Sequence, residues 1–150
     1  MRASVVGAGS WGTVFARLLA DRGHEVTLAC RDSEHAVAIR ETGRNPRYQS
    51  DVDLRDVRAV TAAELDGETD VFVLAVPSRA FGGVVRALPG DAPVLSLSKG
   101  LDPKTGTRLS TLVHGRAVAV LSGPNMADEI AAGLPTAAVI AADDLEFAER

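Results

Sequence analysis

The sequence predicts an α/β fold, a doubly wound, mostly parallel sheet with helices on both faces. Three observations carry the prediction. Short apolar runs alternate with stretches of helical period, the signature of strand–helix–strand units. The runs are nearly continuous in apolar residues, as strands covered on both faces must be. A glycine-rich turn, Gly7-Ala8-Gly9-Ser10-Trp11-Gly12, joins the first run to the first helical stretch.

In chain order, residues 3–6 form a short buried strand. Residues 11–20 place Trp11, Phe15, Leu18 and Leu19 at helical spacings, and Asp21-Arg22-Gly23 supplies a glycine stop. Residues 25–30 are a second strand, after which Asp32-Ser33 caps a polar helix running to about residue 40. Residues 42–56 show no period, and Asn45-Pro46 marks a turn within them. Residues 57–60 read as an edge strand, 70–76 as a central strand and 78–88 as an amphipathic helix. Three more strands are expected at 93–98, 117–121 and 135–141, with helices between and after them. No repeat, low-complexity segment or linker divides the chain.

At 150 residues the chain has room for one core and no second full domain. Hydrophobic residues at 46% and charged residues at 24% exclude a disordered chain. Sixteen basic against twenty acidic side chains, a net charge of −4, leave no footprint for nucleic acid or an anionic membrane. The single cysteine, Cys30, closes neither a disulfide framework nor a zinc site. No stretch resembles a signal peptide, and the longest apolar run, 137–142, is far short of the roughly 20 residues a membrane span needs. These features predict a metal-free cytoplasmic chain. Only Lys99 and Lys104 stand against fourteen arginines, which singles out each lysine.

In such sheets ligands lie at the carboxyl ends of the strands, where the winding direction switches. The glycine turn lies there. Its glycines permit a tight turn, close approach of a pyrophosphate and close packing of helix on strand, while the helix N-terminus offers N–H groups and positive dipole. Because it follows a strand, opens a helix and leads to a second strand, it fits a Rossmann-like dinucleotide fingerprint. The same residues nearly spell the G-x-S-x-G elbow of α/β-hydrolases, with His114 as a conceivable base, but six residues ahead of Gly7 cannot supply the strands that elbow needs. Cofactor type turns on the second strand's tip, where Arg31 suits a 2′-phosphate and Asp32 reads first as a helix cap. NADPH is therefore acceptable there, and NADH remains open.

Further blocks follow in order: Arg22-Gly23-His24-Glu25-Val26, Val76-Pro77-Ser78, Ser98-Lys99-Gly100-Leu101, Ser122-Gly123-Pro124-Asn125-Met126-Ala127 with Glu129, and Gly133-Leu134-Pro135-Thr136. With the glycine turn they resemble the amino-terminal half of bacterial NAD(P)-dependent glycerol-3-phosphate dehydrogenase across essentially the whole chain. The chain departs from that pattern at Ala29-Cys30, where members usually carry Trp. It departs again at Gln49-Ser50, which follows Asn45-Pro46-Arg47-Tyr48 in place of Leu-Pro, and at Asn125-Met126, in place of Ser or Thr and then Phe.

The resemblance implies that residues 1–150 are an NAD(P)-binding domain whose helical substrate domain is absent. The general acid and base are then expected beyond Arg150, leaving no catalytic residue in this half. The implied cofactor contacts are Gly7, Gly9, Ser10, Trp11 and Gly12 at the pyrophosphate, Arg31 and Tyr48 at the adenosine, Lys99 between nicotinamide and substrate, and Ala127. Lys99, Gly123 and Asn125 would meet the substrate. The implied reaction is hydride transfer between NAD(P)H and dihydroxyacetone phosphate, giving sn-glycerol 3-phosphate for phospholipid synthesis. A homodimer is open to the full-length enzyme. Two alternatives stand: another two-domain dehydrogenase of the ketopantoate reductase or 6-phosphogluconate dehydrogenase type, and a non-catalytic NAD(P)H-binding module. The histidines read as structural: His24 at a helix end, His35 exposed on a helix, His114 at another helix end.

Overall fold

The computed structural model describes residues 1–149. Among these, seven strands form one sheet in the order β3-β2-β1-β4-β5-β6-β7. They are β1 (Arg2–Val6), β2 (Glu25–Cys30), β3 (Val57–Thr61), β4 (Val71–Leu74), β5 (Val94–Ser96), β6 (Val118–Ser122) and β7 (Val139–Ala142). Every pairing is parallel except β6 with β7. The chain winds outward from β1 to β3, then crosses back to β4 on the other side of β1. The expected doubly wound α/β sheet is therefore present, with the switch point between β1 and β4.

Strand period builds the core on both faces, since alternate side chains point opposite ways. In β4, Val71 and Val73 join one cluster with Val5, Leu28 and Ile39, while Phe72 and Leu74 join the other with Phe81, Val85 and Val94. The first cluster packs under α1 (Ser10–Asp21) and α2 (Ser33–Thr42), the second under α3 (Ser78–Ala87). The register Val5↔Leu28 and Val5↔Val73 stacks the apolar residues of the central strands in rows.

The helix boundaries have local causes. Asp32 caps α2 by accepting a hydrogen bond from the His35 amide at 2.9 Å. Gly43, at φ +64°, ends that helix and donates its amide to Ile39 at 2.8 Å, the left-handed stop glycine supplies best. Two short helices, α4 (Ala127–Ala131) and α5 (Leu145–Glu149), follow β6 and β7. Asp128 and Glu129 sit in the first turn of α4, where acids favour the helix dipole, and Asp144 accepts from the Phe147 amide.

Several expectations need correction. Between β5 and β6 no α-helix forms among the described residues; a 3₁₀ turn at Leu109–Leu112 takes its place. His114 consequently follows that turn, exposed, and ends no helix. The strands expected at 70–76 and 93–98 are shorter, because their last residues leave the ladder to build loops at the carboxyl edge. His35 is the clearest miss: it is 5% exposed, because its ring turns inward to Asn45 at 2.7 Å.

Candidate functional site

The turn after β1 lies at the switch point, between the ends of β2 and β4. Gly7 donates its amide to Ala29 at 3.0 Å, and Ala75 donates to Val6 at 2.9 Å, so the ladder holds both sides of the turn. Its three glycines do different work. Gly7 has φ +110°, and a Cβ there would lie 2.5 Å from the Ala75 carbonyl oxygen. A Cβ on Gly12 would lie 1.8 Å from the Gly7 carbonyl oxygen, so only glycine lets α1 seat this close. A Cβ on Gly9 would meet nothing within 4 Å. Two glycines are thus demanded by the fold, while the third faces open space.

Gly9 is also the N-cap of α1 and provides no side-chain hydrogen bond to the helix. The first amides of an α-helix have no intrahelical acceptor, so those of Ser10, Trp11 and Gly12 are available beside that space. Open volume, unpaired donors and the positive end of a twelve-residue helix together suit a pyrophosphate. The side chain of Trp11 plays another part, packing on Phe15 with ring centroids 5.6 Å apart.

Sequence reasoning missed the residue that braces this loop. Asn45, 0% exposed, donates from Nδ2 to the Ala8 carbonyl at 3.0 Å and to the Thr13 hydroxyl at 2.8 Å. Its Oδ1 accepts from the Arg47 and Tyr48 amides, each at 3.1 Å, and contacts His35 Nε2. One buried amide thereby joins the glycine turn, α2 and the 45–48 loop. A polar residue in an aperiodic stretch gave only the Asn-Pro turn signal.

The tip of β2 brings Arg31, Asp32, Arg47 and Tyr48 into one neighbourhood. Arg31 is exposed, and Tyr48 is 46% exposed with its ring centroid 6.3 Å from that of His35. Asp32 Oδ2 accepts from Arg47 Nη1 at 2.7 Å. That guanidinium, followed by the His35 amide, holds the Asp32 carboxyl below its ordinary range. Cys30 is buried just beneath; desolvation, reinforced by Asp32, pushes its thiol up to about 11, which leaves it inert as a nucleophile.

Three strands further along the same edge, Lys99 follows β5. Its Nζ donates to the Gly123 carbonyl at 3.1 Å and to Asn125 Oδ1 at 2.9 Å, spanning from the end of β5 to the loop after β6. Asn125 is 8% exposed, yet its Nδ2 has no hydrogen-bond partner, the kind of buried orphan that asks for a reason. Ser98 clips the neighbouring loop: its hydroxyl donates to the Val76 carbonyl at 2.7 Å. Gly123 has a structural duty as well, since a Cβ there would lie 2.4 Å from the Ala137 carbonyl oxygen. Ala127 opens α4, half-buried. The structure therefore brings Lys99, Gly123 and Asn125 together, and puts the glycine loop, Arg31 and Tyr48 on the same sheet edge.

Among the described residues, no cluster of three or more His, Cys, Asp or Glu could hold a metal, and no helix is long and apolar enough to cross a membrane.

The comparisons with known proteins agree with this architecture. The family model described as NAD-dependent glycerol-3-phosphate dehydrogenase N-terminus matches residues 2–148. A glycerol-3-phosphate dehydrogenase [NAD(P)+] of Nocardia farcinica is 47% identical, covering 99% of this chain and 49% of its own length. The crystal structure of glycerol-3-phosphate dehydrogenase from Coxiella burnetii superposes with a TM-score of 0.89 at 31% identity, over 99% of this chain and 48% of that one. A ketopantoate reductase from Ralstonia eutropha JMP134 is less similar, with a TM-score of 0.63 at 28% identity over 82% of this chain and 41% of that one. The chain spans about half the length of the curated relatives it matches. The chain belongs to the NAD-dependent glycerol-3-phosphate dehydrogenase family, matching its amino-terminal domain.

Proposed function

We propose that this chain is the cofactor-binding half of an NAD(P)-dependent glycerol-3-phosphate dehydrogenase, reducing dihydroxyacetone phosphate to sn-glycerol 3-phosphate. The observation that carries the reading is the shared sheet edge. An open glycine loop ends β1, and the Lys99–Asn125 pair lies beyond β5 and β6 on the same side. Family membership and the names of the relatives support the substrate.

In this reading the amides of Ser10, Trp11 and Gly12 hold the pyrophosphate over Gly9, with Gly7 shaping the turn. Arg31 and Tyr48 receive the adenosine end, and the Ala127 amide meets the cofactor from α4. The nicotinamide, when bound, supplies the hydride. An ammonium has three N–H donors, and Lys99 uses two on Gly123 and Asn125, keeping one for a substrate oxygen. Its charge stabilises an oxyanion developing on the carbonyl or the adjoining phosphate. The unpartnered Asn125 Nδ2 is a second donor toward the same ligand. His35 is bonded to Asn45, and Cys30 is buried with a thiol too weakly acidic to give up its proton readily, so neither serves as the general acid. We assign the proton donor to a second, helical domain.

The reading implies a cytoplasmic enzyme, open to homodimer formation, with no nucleic-acid partner, whose product feeds phospholipid synthesis. Joining residues 1–150 to the carboxyl-terminal half of the Nocardia farcinica enzyme should restore dihydroxyacetone-phosphate-dependent NADPH oxidation, followed by absorbance. A chimera that folds and binds NADPH but oxidises none would favour a non-catalytic NAD(P)H-binding module.

A further inference from the structure

We propose that Arg47 selects the cofactor's 2′-phosphate, working with Arg31, and that the same side chain withholds Asp32 from ribose recognition. The proposal rests on the reading that the β2 tip receives the adenosine ribose.

Asp32 stands where an acidic residue would take the ribose 2′-hydroxyl in an NAD site. Both of its oxygens are committed: Oδ1 accepts from the His35 amide at 2.9 Å and Oδ2 from Arg47 Nη1 at 2.7 Å. Each oxygen keeps a lone pair, but the Arg47 guanidinium neutralises the carboxylate and covers Oδ2, so a neutral ribose diol meets a weaker acceptor than a free aspartate offers. A 2′-phosphate meets the opposite situation. The Arg47 and Asp32 side chains are 43% and 36% exposed, so the pair opens to solvent and a dianion can compete for the guanidinium. Guanidinium matches phosphate through two parallel N–H donors. Arg31, next in sequence and exposed, forms no ion pair among the described residues, and adds a second positive charge at the tip.

The placement of Arg47 is built into the fold. Its amide donates to Asn45 Oδ1, and the Asn45 Nδ2 holds Ala8 and Thr13 of the glycine turn. One buried side chain thus fixes the spacing between the pyrophosphate loop and the arginine. The sequence places Arg47 in an aperiodic stretch, inside the Asn45-Pro46-Arg47-Tyr48 block; only the fold brings it beside Asp32.

The test is the dissociation constants of NADPH and NADH, measured by fluorescence titration on the 150-residue chain and on Arg47→Ala. Losing a charge-assisted phosphate contact should weaken NADPH about tenfold or more. NADH should bind more tightly, because Asp32 becomes free, and unchanged NADH would refute the withholding of Asp32. Asp32→Asn keeps a capping side chain and should preserve NADPH binding, while removing any NADH gain from the double variant. Equal changes for the two cofactors, or none for either, would overturn the role of Arg47. If the unmodified chain bound neither cofactor, the underlying site reading would fail along with it.

Discussion

Substituting the two glycines that flank the start of α1 should separate folding from binding. At Gly9 the backbone is extended, with φ −81° and ψ −176°, and a Cβ meets nothing within 4 Å. Gly9→Val gains about 0.4–1 kcal/mol by restricting the unfolded chain and loses up to about 1 kcal/mol of N-cap preference. The two nearly cancel, so Tm should move by no more than about 4 °C. Binding should suffer, because three carbons enter the space beside the Ser10 and Trp11 amides; about a 100-fold loss corresponds to roughly 3 kcal/mol. Gly12→Ala should behave in the opposite sense. Its Cβ would sit 1.8 Å from the Gly7 carbonyl oxygen, so α1 must shift, at a cost of about 3 kcal/mol and about 6–12 °C in Tm. The assay is thermal unfolding by circular dichroism beside an NADPH titration read through Trp11, the sole tryptophan. A Gly9→Val chain that unfolds early, or binds NADPH as tightly as the parent, would refute the division of labour.

In the chimera, Lys99→Ala should lower kcat/KM about 100-fold or more, as expected for a charge that stabilises a developing oxyanion. Lys99→Arg should recover little of this, since a planar fork does not replace a point charge; steady-state kinetics decide. Asn45→Ala should cost about 3 kcal/mol in urea unfolding, because the Thr13 hydroxyl and two loop amides lose their buried partner. Cys30 should resist thiol reagents at pH 8. Its pKa is raised from 9.0 to about 11, so the folded state keeps a proton that the unfolded state releases. Stability is then full below pH 9 and falls as pH rises toward 11, a loss that Cys30→Ala should abolish in a pH series of unfolding curves.

The sheet was legible because its signals are local. Apolar runs with glycine stops located β1, β2 and α1, and the glycine turn located the switch point before any pairing was known. Lys99 could be placed at a strand end from sequence alone, but its bonds to Gly123 and Asn125 span 24 and 26 residues and leave no periodic trace. Asn45 and His35 were misjudged for the same reason. A polar residue buried in a long-range network looks, in sequence, like any loop or surface residue. Arg47 was passed over because its partner Asp32 lies 15 positions away, across the end of α2. The missing helix between β5 and β6 shows that strand–helix alternation fixes where a connection lies, while its form depends on how much sheet needs covering; here Leu109 and Val113 fill the space.

The central claim is that a dinucleotide lies along the carboxyl edge, from the β2 tip across Gly9 toward Lys99. Mapping the amide chemical shifts of the 15N-labelled 150-residue chain during an NADPH titration tests this most directly. The account predicts saturable shifts concentrated at residues 8–12, 31–32, 47–48, 99, 123 and 125–127. Shifts confined to the opposite edge of the sheet, or none at saturating NADPH, would contradict it.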